Sequence, residues 1–295
     1  MSHLVQCMGM SLEPGFPFIK MHGLGNDFIV FDDFVEAELD TPASTPMTAD
    51  LAKAVCDRRF GIGADQVLWL RKPHDDAADV RMEIRNADGS VAEMCGNGVR
   101  AVGILLARKY PSRAEFVVET LAGMKKLMAA GNGFQVSMGV PTVSSPSHAG
   151  ETLTLRDGAQ LPFLAVNVGN PHAVLFVPDL EGYPVEKFGP IIECHPRFPG
   201  RTNVEFVEVR VRSNGSSSLR MRVWERGAGV TLACGTGACA AAVAARVTGK
   251  VQSDKVELVL DGGTLYTSWA GEGTPVVLEG PATETYRGTW PRTAS

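Results

Sequence analysis

The sequence predicts an α+β fold built from two structurally similar halves, with a functional site between them. Three observations lead there. Met94-Cys95-Gly96-Asn97-Gly98 is echoed by Ala233-Cys234-Gly235-Thr236-Gly237, and each run leads into a small-residue stretch of helical character, Val99 to Ala107 and Ala238 to Arg246. The echo extends beyond the cysteines. Arg81-Met82 with Ile84 matches Arg220-Met221 with Val223, and Asn86 matches Glu225, at the same spacing that separates Cys95 from Cys234. Gly25-Asn26 with Gly169-Asn170, and Gln66-Val67 with Asn203-Val204, recur in the same order at nearly that spacing. Finally, strand-like segments are many and helices few.

The elements follow in chain order. Residues 1–16 lack a basic n-region and a proper apolar h-region, so they are expected to be an extension, not a signal peptide. In the first lobe, 17–140, Phe28 to Phe31, Gln66 to Leu70, Val80 to Ile84 and Glu115 to Glu119 are short, β-branched or aromatic, and bounded by turn residues. Ala49 to Arg59 is expected to be a further helix. Val140 to Pro146 is the linker, rich in Pro and Ser. The second lobe, 141–274, carries strands at Phe163 to Val168, Ala173 to Val177, Val204 to Val211, Leu219 to Trp224 and Val256 to Leu260, with a short helix at Val185 to Ile192. A last strand within 275–295, after Gly280-Pro281-Ala282, is expected to rejoin the first lobe.

Bulk composition excludes several classes. Of 295 residues, 44% are hydrophobic and 21% charged, the balance of a globular protein of two ordinary domains. The net charge of −5, with no basic run, argues against a nucleic-acid partner. No apolar stretch is long enough to span a membrane as a helix. The six cysteines, Cys7, Cys56, Cys95, Cys194, Cys234 and Cys239, read as reduced thiols in a cytoplasm. No C-x-x-C pair and no second set with metal-ligand spacing accompanies them, so no metal is expected.

The chemistry is concentrated at Cys95 and Cys234. A lone cysteine is most often a small buried hydrophobe. Each of these two is followed at once by glycine at an expected helix start, and they are paired by the repeat. A helix N-terminus offers unpaired N–H groups and partial positive charge, which bind a carboxylate and favour a thiolate. From an ordinary value of about 8.5, such a thiol is expected to move toward neutrality, where one thiolate acts as base and one thiol as acid. Cys239 is assigned to core packing. Asn26, Asn86, Asn170 and Asn203 could each be simple turn formers, but their repeat-paired positions suit a polar cleft. Glu225-Arg226 would otherwise be a surface ion pair; beside Gly227-Ala228-Gly229 it suits recognition, with Arg gripping a carboxylate and Glu an ammonium. His172, after Asn170-Pro171, could polarise a thiol. Neither Gly61-Ile62-Gly63 nor Gly23-Leu24-Gly25 completes a dinucleotide fingerprint.

These residues resemble the diaminopimelate epimerase family. The matching runs are Met21 to Phe28, Gly61 to Gln66, Asn86 to Ser90, Glu93 to Gly98, Gly169 to His172, Arg201 to Glu205, Glu225 to Gly229 and Ala233 to Gly237, spread from Phe18 to the C-terminus. The resemblance implies two pseudo-symmetric lobes, each a strand-rich layer around a central helix, with the active site between them. It implies cofactor-free interconversion of LL- and meso-diaminopimelate in lysine and peptidoglycan precursor synthesis, by a cytoplasmic homodimer. It assigns Cys95 and Cys234 as the acid and base. Asn26, Gln66, Asn86, Asn170, Asn203, Glu225 and Arg226 become substrate contacts. Backbone at Gly96, Asn97, Gly235 and Thr236 would hold the reacting carboxylate, and His172 and Glu225 would tune the thiols. Two positions depart from the family pattern: Val230, where Glu is common, and Arg85, where an apolar or aromatic residue is usual. Competing readings are a proline- or hydroxyproline-type racemase on the same fold, a phenazine-pathway isomerase, against which the paired cysteines argue, and a non-catalytic binding protein that kept the cleft.

Overall fold

A computed structural model describes residues 15–35, 46–131, 133–144, 150–213 and 215–291. In the first half, β1 (Phe16–Gly23), β2 (Asn26–Asp32), β3 (Gln66–Arg71), β4 (Val80–Asn86), β5 (Glu115–Thr120), β6 (Gly123–Ala130) and β7 (Gly133–Ser137) pair in chain order. Only β2–β3 and β4–β5 are parallel. After β8 (Thr142–Val143) and β9 (Glu151–Thr154), the second half repeats the scheme. Its strands are β10 (Gln160–Asn167), β11 (Pro171–Phe176), β12 (Asn203–Val211), β13 (Ser217–Glu225), β14 (Gly229–Thr231), β15 (Lys255–Leu260), β16 (Gly263–Ser268) and β17 (Val277–Pro281). Here β11–β12 and β13–β15 are the parallel pairs. The sequence echo is thus a repeat of strand pairing.

The halves also exchange strands. β8 crosses forward to β10, while β18 (Thr283–Trp290) returns to β1, and β7 pairs with β17. Of the helices, α1 (Ala49–Cys56) and α3 (Val185–Glu193) lie outside the strand layers, against β3 and β4 and against β12 to β14. The other two, α2 (Gly96–Lys109) and α4 (Gly235–Val247), are each wrapped by the strands of their own half. That is why they read as small and apolar all round. Every residue of α2 from Gly96 to Gly103 is buried, as is every residue of α4 from Gly237 to Ala245. A Cβ on Gly103 would lie 2.8 Å from both Leu127 and Phe134, so the missing side chain lets the sheet close on the helix.

Both central helices start earlier than their apolar periodicity suggests, because the glycines of each motif already form the first turn. The helix expected over Ala49 to Arg59 stops at Cys56. There the Asp57 carboxylate accepts from the Arg59 and Phe60 amides, both at 2.7 Å, and the chain turns instead of continuing. Strands β1, β6, β7, β14, β16 and β17 carried no clear strand pattern in sequence. Part of the linker is strand, as β8. Most of the N-terminal extension, with Cys7, and residues 145–149 lie outside the described residues.

Candidate active site

Cys95 and Cys234 are themselves the N-caps of α2 and α4. Each has extended backbone, φ −140° and −122°, and each sulfur accepts the amide of the third residue on, Gly98 or Gly237, at 3.3 Å. One orphan donor of each first turn is thereby satisfied by sulfur, as a serine cap does with oxygen. The remaining N–H groups, at Gly96, Asn97, Gly235 and Thr236, are those suited to a carboxylate. The two ends adjoin. A Cβ on Gly235 would meet Leu278 at 2.9 Å and Asn97 Oδ1 at 3.8 Å, and one on Gly96 would meet the same leucine at 3.6 Å. Leu278, on the strand that joins the halves, is thus wedged between both helix starts.

The surroundings of the two thiols differ. Cys95 Sγ donates to Asn26 Oδ1 at 3.7 Å, which also accepts from Asn97 Nδ2 at 3.1 Å. Asn26 Nδ2 donates to Asp65 at 3.0 Å. Cys234 lies 3.5 Å from the Thr236 hydroxyl and contacts the Glu225 carboxylate, which also accepts from Thr231 Oγ1. Burial pushes the Cys95 thiol up to about 11, against a pull from the Gly98 amide and the Arg100 cation. Cys234 is driven well above the ordinary thiol value by burial, then by Glu225 and Glu205. The expected move toward neutrality is therefore reversed. Desolvation of a charge outweighs the two or three helix-end donors. Glu225 is raised as well, by burial first and by Glu205 after the opposing Thr231 bond.

The other sequence-chosen residues form two groups. Gln66 and Asn86 face each other across β3 and β4, with Gln66 Nε2 donating to Asn86 Oδ1 at 2.9 Å and Asn86 Nδ2 to Ser90 at 2.9 Å. Gln66 Oε1 is buried with no partner among the described residues, an acceptor suited to an incoming ammonium. Asn170 joins His172 Nε2, at 2.9 Å, to Thr236 Oγ1, at 3.3 Å. Asn203 is committed to the backbone: its Nδ2 donates to the Pro171 carbonyl and its Oδ1 accepts the Arg226 amide at 2.9 Å. Arg226 is exposed, and among the described residues its guanidinium donates to the Gly200 carbonyl, at 3.3 Å. Glu225 and Arg226 therefore diverge, one toward Cys234 and the other toward solvent. His172 makes no hydrogen bond to either sulfur; its Nδ1 lies 2.7 Å from Glu205.

Three residues were not singled out from sequence. Glu205 is fully buried, with one oxygen on His172 and the other unpartnered among the described residues. Its signal is an acid inside the apolar run Val204 to Val207. Glu193 accepts Trp224 Nε1 at 2.7 Å and the Gly227 amide at 3.0 Å, fixing the turn that presents Glu225 and Arg226. Asp65 anchors Asn26 and is itself held by Arg58 at 2.7 Å. Of the two departures, Arg85 braces the turn after Asn86 by donating to the Met47 and Gly89 carbonyls at 2.6 and 2.8 Å. Val230 pairs with Trp224 across β13–β14 and is partly exposed.

Comparison with known proteins bears on this arrangement. The family model described as diaminopimelate epimerase matches residues 18–144 and 164–285. A protein named diaminopimelate epimerase from Carboxydothermus hydrogenoformans is 45% identical over 281 residues, covering 92% of this chain and 98% of that protein. One of the same name from Methanococcus maripaludis is 41% identical over 286 residues, covering 92% and 98%. Among solved structures, a phenazine biosynthesis protein of the PhzF family from Bacillus anthracis superposes with a TM-score of 0.65 at 15% identity, covering 94% of this chain and 99% of that one. A hydroxyproline epimerase from Agrobacterium vitis gives 0.63 at 17% identity, covering 96% and 92%. At such identities these two structures speak to the fold.

Proposed function

The chain belongs to the diaminopimelate epimerase family, and on that premise we propose that Cys95 and Cys234 exchange the α-proton of diaminopimelate between them. The enzyme is an amino-acid epimerase acting on diaminopimelate. The observation that carries the proposed mechanism is the pair of cysteine N-caps on two adjoining helix starts. A carboxylate seated on the free N–H groups of both ends has its α-carbon beside two sulfurs. One sulfur, as thiolate, takes the α-hydrogen and becomes S–H. The carbanion's charge spreads into the carboxylate, where the N–H groups stabilise it. The opposite thiol then gives its proton to the other face and becomes the thiolate. One S–H bond forms and one breaks, so the reverse reaction starts from the exchanged state.

Since burial pushes both thiols toward their protonated form, a base must start the cycle. Glu225 is placed for that, against Cys234, and its own raised affinity for protons suits it to accept one. Gln66, Asn86 and Arg226 would hold the distal amino-carboxylate. Asn26, Asn170 and Asn203 would shape the cleft, with His172 acting through Asn170 and Glu205. Both acid and base are protein thiols, so the reaction is proposed to need neither pyridoxal phosphate nor metal. The family resemblance supports a cytoplasmic homodimer interconverting the LL and meso forms for lysine and cell-wall precursor synthesis. The proline-type alternative is not favoured, because relatives at 45%, 44% and 42% identity carry the diaminopimelate epimerase name. To test the proposal, enzyme treated with EDTA and hydroxylamine is given LL-diaminopimelate, lysine or proline. Meso-diaminopimelate should form at the untreated rate, with negligible racemisation of the other two. Activity restored only by pyridoxal phosphate or zinc, or equal turnover of lysine, would contradict it.

A further inference from the structure

We propose that Arg100 is the counter-charge of the first thiol: a positioning residue that stabilises the anionic state at the Cys95 end of the site and not at the Cys234 end. Arg100 lies one turn into α2 and is fully buried, yet its hydrogen-bond partners are all uncharged. NH2 donates to Asn97 Oδ1 at 2.6 Å, NH1 to the Gly96 carbonyl at 3.3 Å and Nε to the Pro281 carbonyl at 3.4 Å. No carboxylate pairs with it among the described residues. A buried cation without an anion is costly, enough that its guanidinium is pulled down to about 10 by desolvation. Such a charge becomes favourable only when an anion arrives nearby. The anions of the proposed reaction, which this inference takes as given, arrive at the α2 start: the Cys95 thiolate and the carboxylate on the Gly96 and Asn97 amides.

The hydrogen bonding has one direction throughout. A guanidinium only donates, so it fixes Asn97 Oδ1 toward itself and Asn97 Nδ2 toward Asn26. Asn26 then turns its own oxygen to Asn97 and Cys95 and its Nδ2 to Asp65, a carboxylate that only accepts. Arg100 therefore orients the two amides nearest Cys95 as well as supplying charge. The groups facing Cys95 are Arg100 from its own helix, Asn26 from β2, the Asn97 and Gly98 amides, and Glu225 from the end of β13, whose charge opposes thiolate formation. Those facing Arg100 are the Cys95 and Cys239 thiols. Cys234 instead faces Glu225, Glu205 and Thr236.

The test reads each thiol without turnover, so it is separable from the failure of the proposed reaction. Iodoacetamide is pulsed across a pH series, and carbamidomethylation of Cys95 and Cys234 is quantified by peptide mass spectrometry. Access scales the rate at each thiol but leaves the pH midpoint unchanged. In Arg100→Gln, which keeps a donor for Asn97 and loses the charge, the Cys95 midpoint should rise by about one pH unit, making alkylation below it about tenfold slower. The Cys234 midpoint should stay put. Arg100→Met, of similar volume, should give the same selective shift, and Arg100→Lys should restore most of it. An unmoved Cys95 midpoint, or an equal shift of both thiols, would overturn the proposal. So would failure of both uncharged variants to fold, which would make the side chain a structural strut.

Discussion

The two helix starts are copies in backbone and opposites in charge. Each has a cysteine cap, an extended cap residue and a 3.3 Å N–H to sulfur bond. Beneath them the equivalent positions differ. A Cβ on Gly98 would meet Leu68 at 3.2 Å; one on Gly237 would meet the Glu205 carboxylate at 2.7 Å. One turn on, α2 carries Arg100 where α4 carries Cys239. The first end therefore has a buried cation and amides around it, the second a buried carboxylate with a histidine. The repeat places a cysteine cap on each of two adjoining helix starts, the geometry that the proposed mechanism uses. The side chains around the two sulfurs nonetheless differ, so the thiols are unequal.

The largest effect expected is loss of either thiol. Cys95→Ala and Cys234→Ala should each lower epimerisation by at least about a thousandfold, measured by chiral chromatography, because each would remove the proposed acid or base of one face. Near-normal turnover by one variant would leave a single-ended site. Arg226→Met should raise KM by about tenfold to a hundredfold, with kcat less affected, if its exposed guanidinium meets the distal carboxylate as proposed. Glu205→Gln removes the charge peculiar to the second end. The alkylation midpoint of Cys234 should fall, while that of Cys95 moves less, because Glu205 opposes the Cys234 thiolate.

The smallest effect concerns stability. Cys239 is raised by burial from 9.0 to about 12, so folding favours its protonated form. That contribution is intact below pH 9 and is lost as pH climbs toward 12, on the order of 1 kcal/mol per pH unit at most. Denaturant melts from pH 8 to 10.5 should show a falling midpoint, and a shallower fall in Cys239→Ala.

Much of this was legible in sequence because the repeat was. The paired CGxG motifs located both caps, and the ordered echoes of Asn26, Gln66 and Asn86 with Asn170, Asn203 and Glu225 located the strand ends around them. The thiols' ionisation was not legible. A motif reveals a helix end, but desolvation depends on which strands close over it, and β1, β7, β16 and β17 have little strand signal of their own. Glu205 and Arg100 were passed over for a related reason. A charged residue inside an apolar run looks like an interruption until its surroundings are known: His172, the partner of Glu205, is 33 residues away, and the burial of Arg100 depends on strands that close over α2 from both halves. The end of α1 was misjudged because the Asp57 side chain competes for amides the helix would need.

The proposal of opposed thiols makes one measurement decisive. LL-diaminopimelate is converted in D2O and stopped early, and α-deuterium is quantified in both the product and the recovered substrate. With one sulfur per face, the proton removed stays on the thiol that took it, and the deuteron comes from the other. The meso product should then be labelled at its newly formed centre from the first turnover, while recovered LL substrate stays nearly unlabelled. Equal labelling of substrate and product at early times would mean a single base serving both faces, and the two cysteine caps would not be the two halves of one proton transfer.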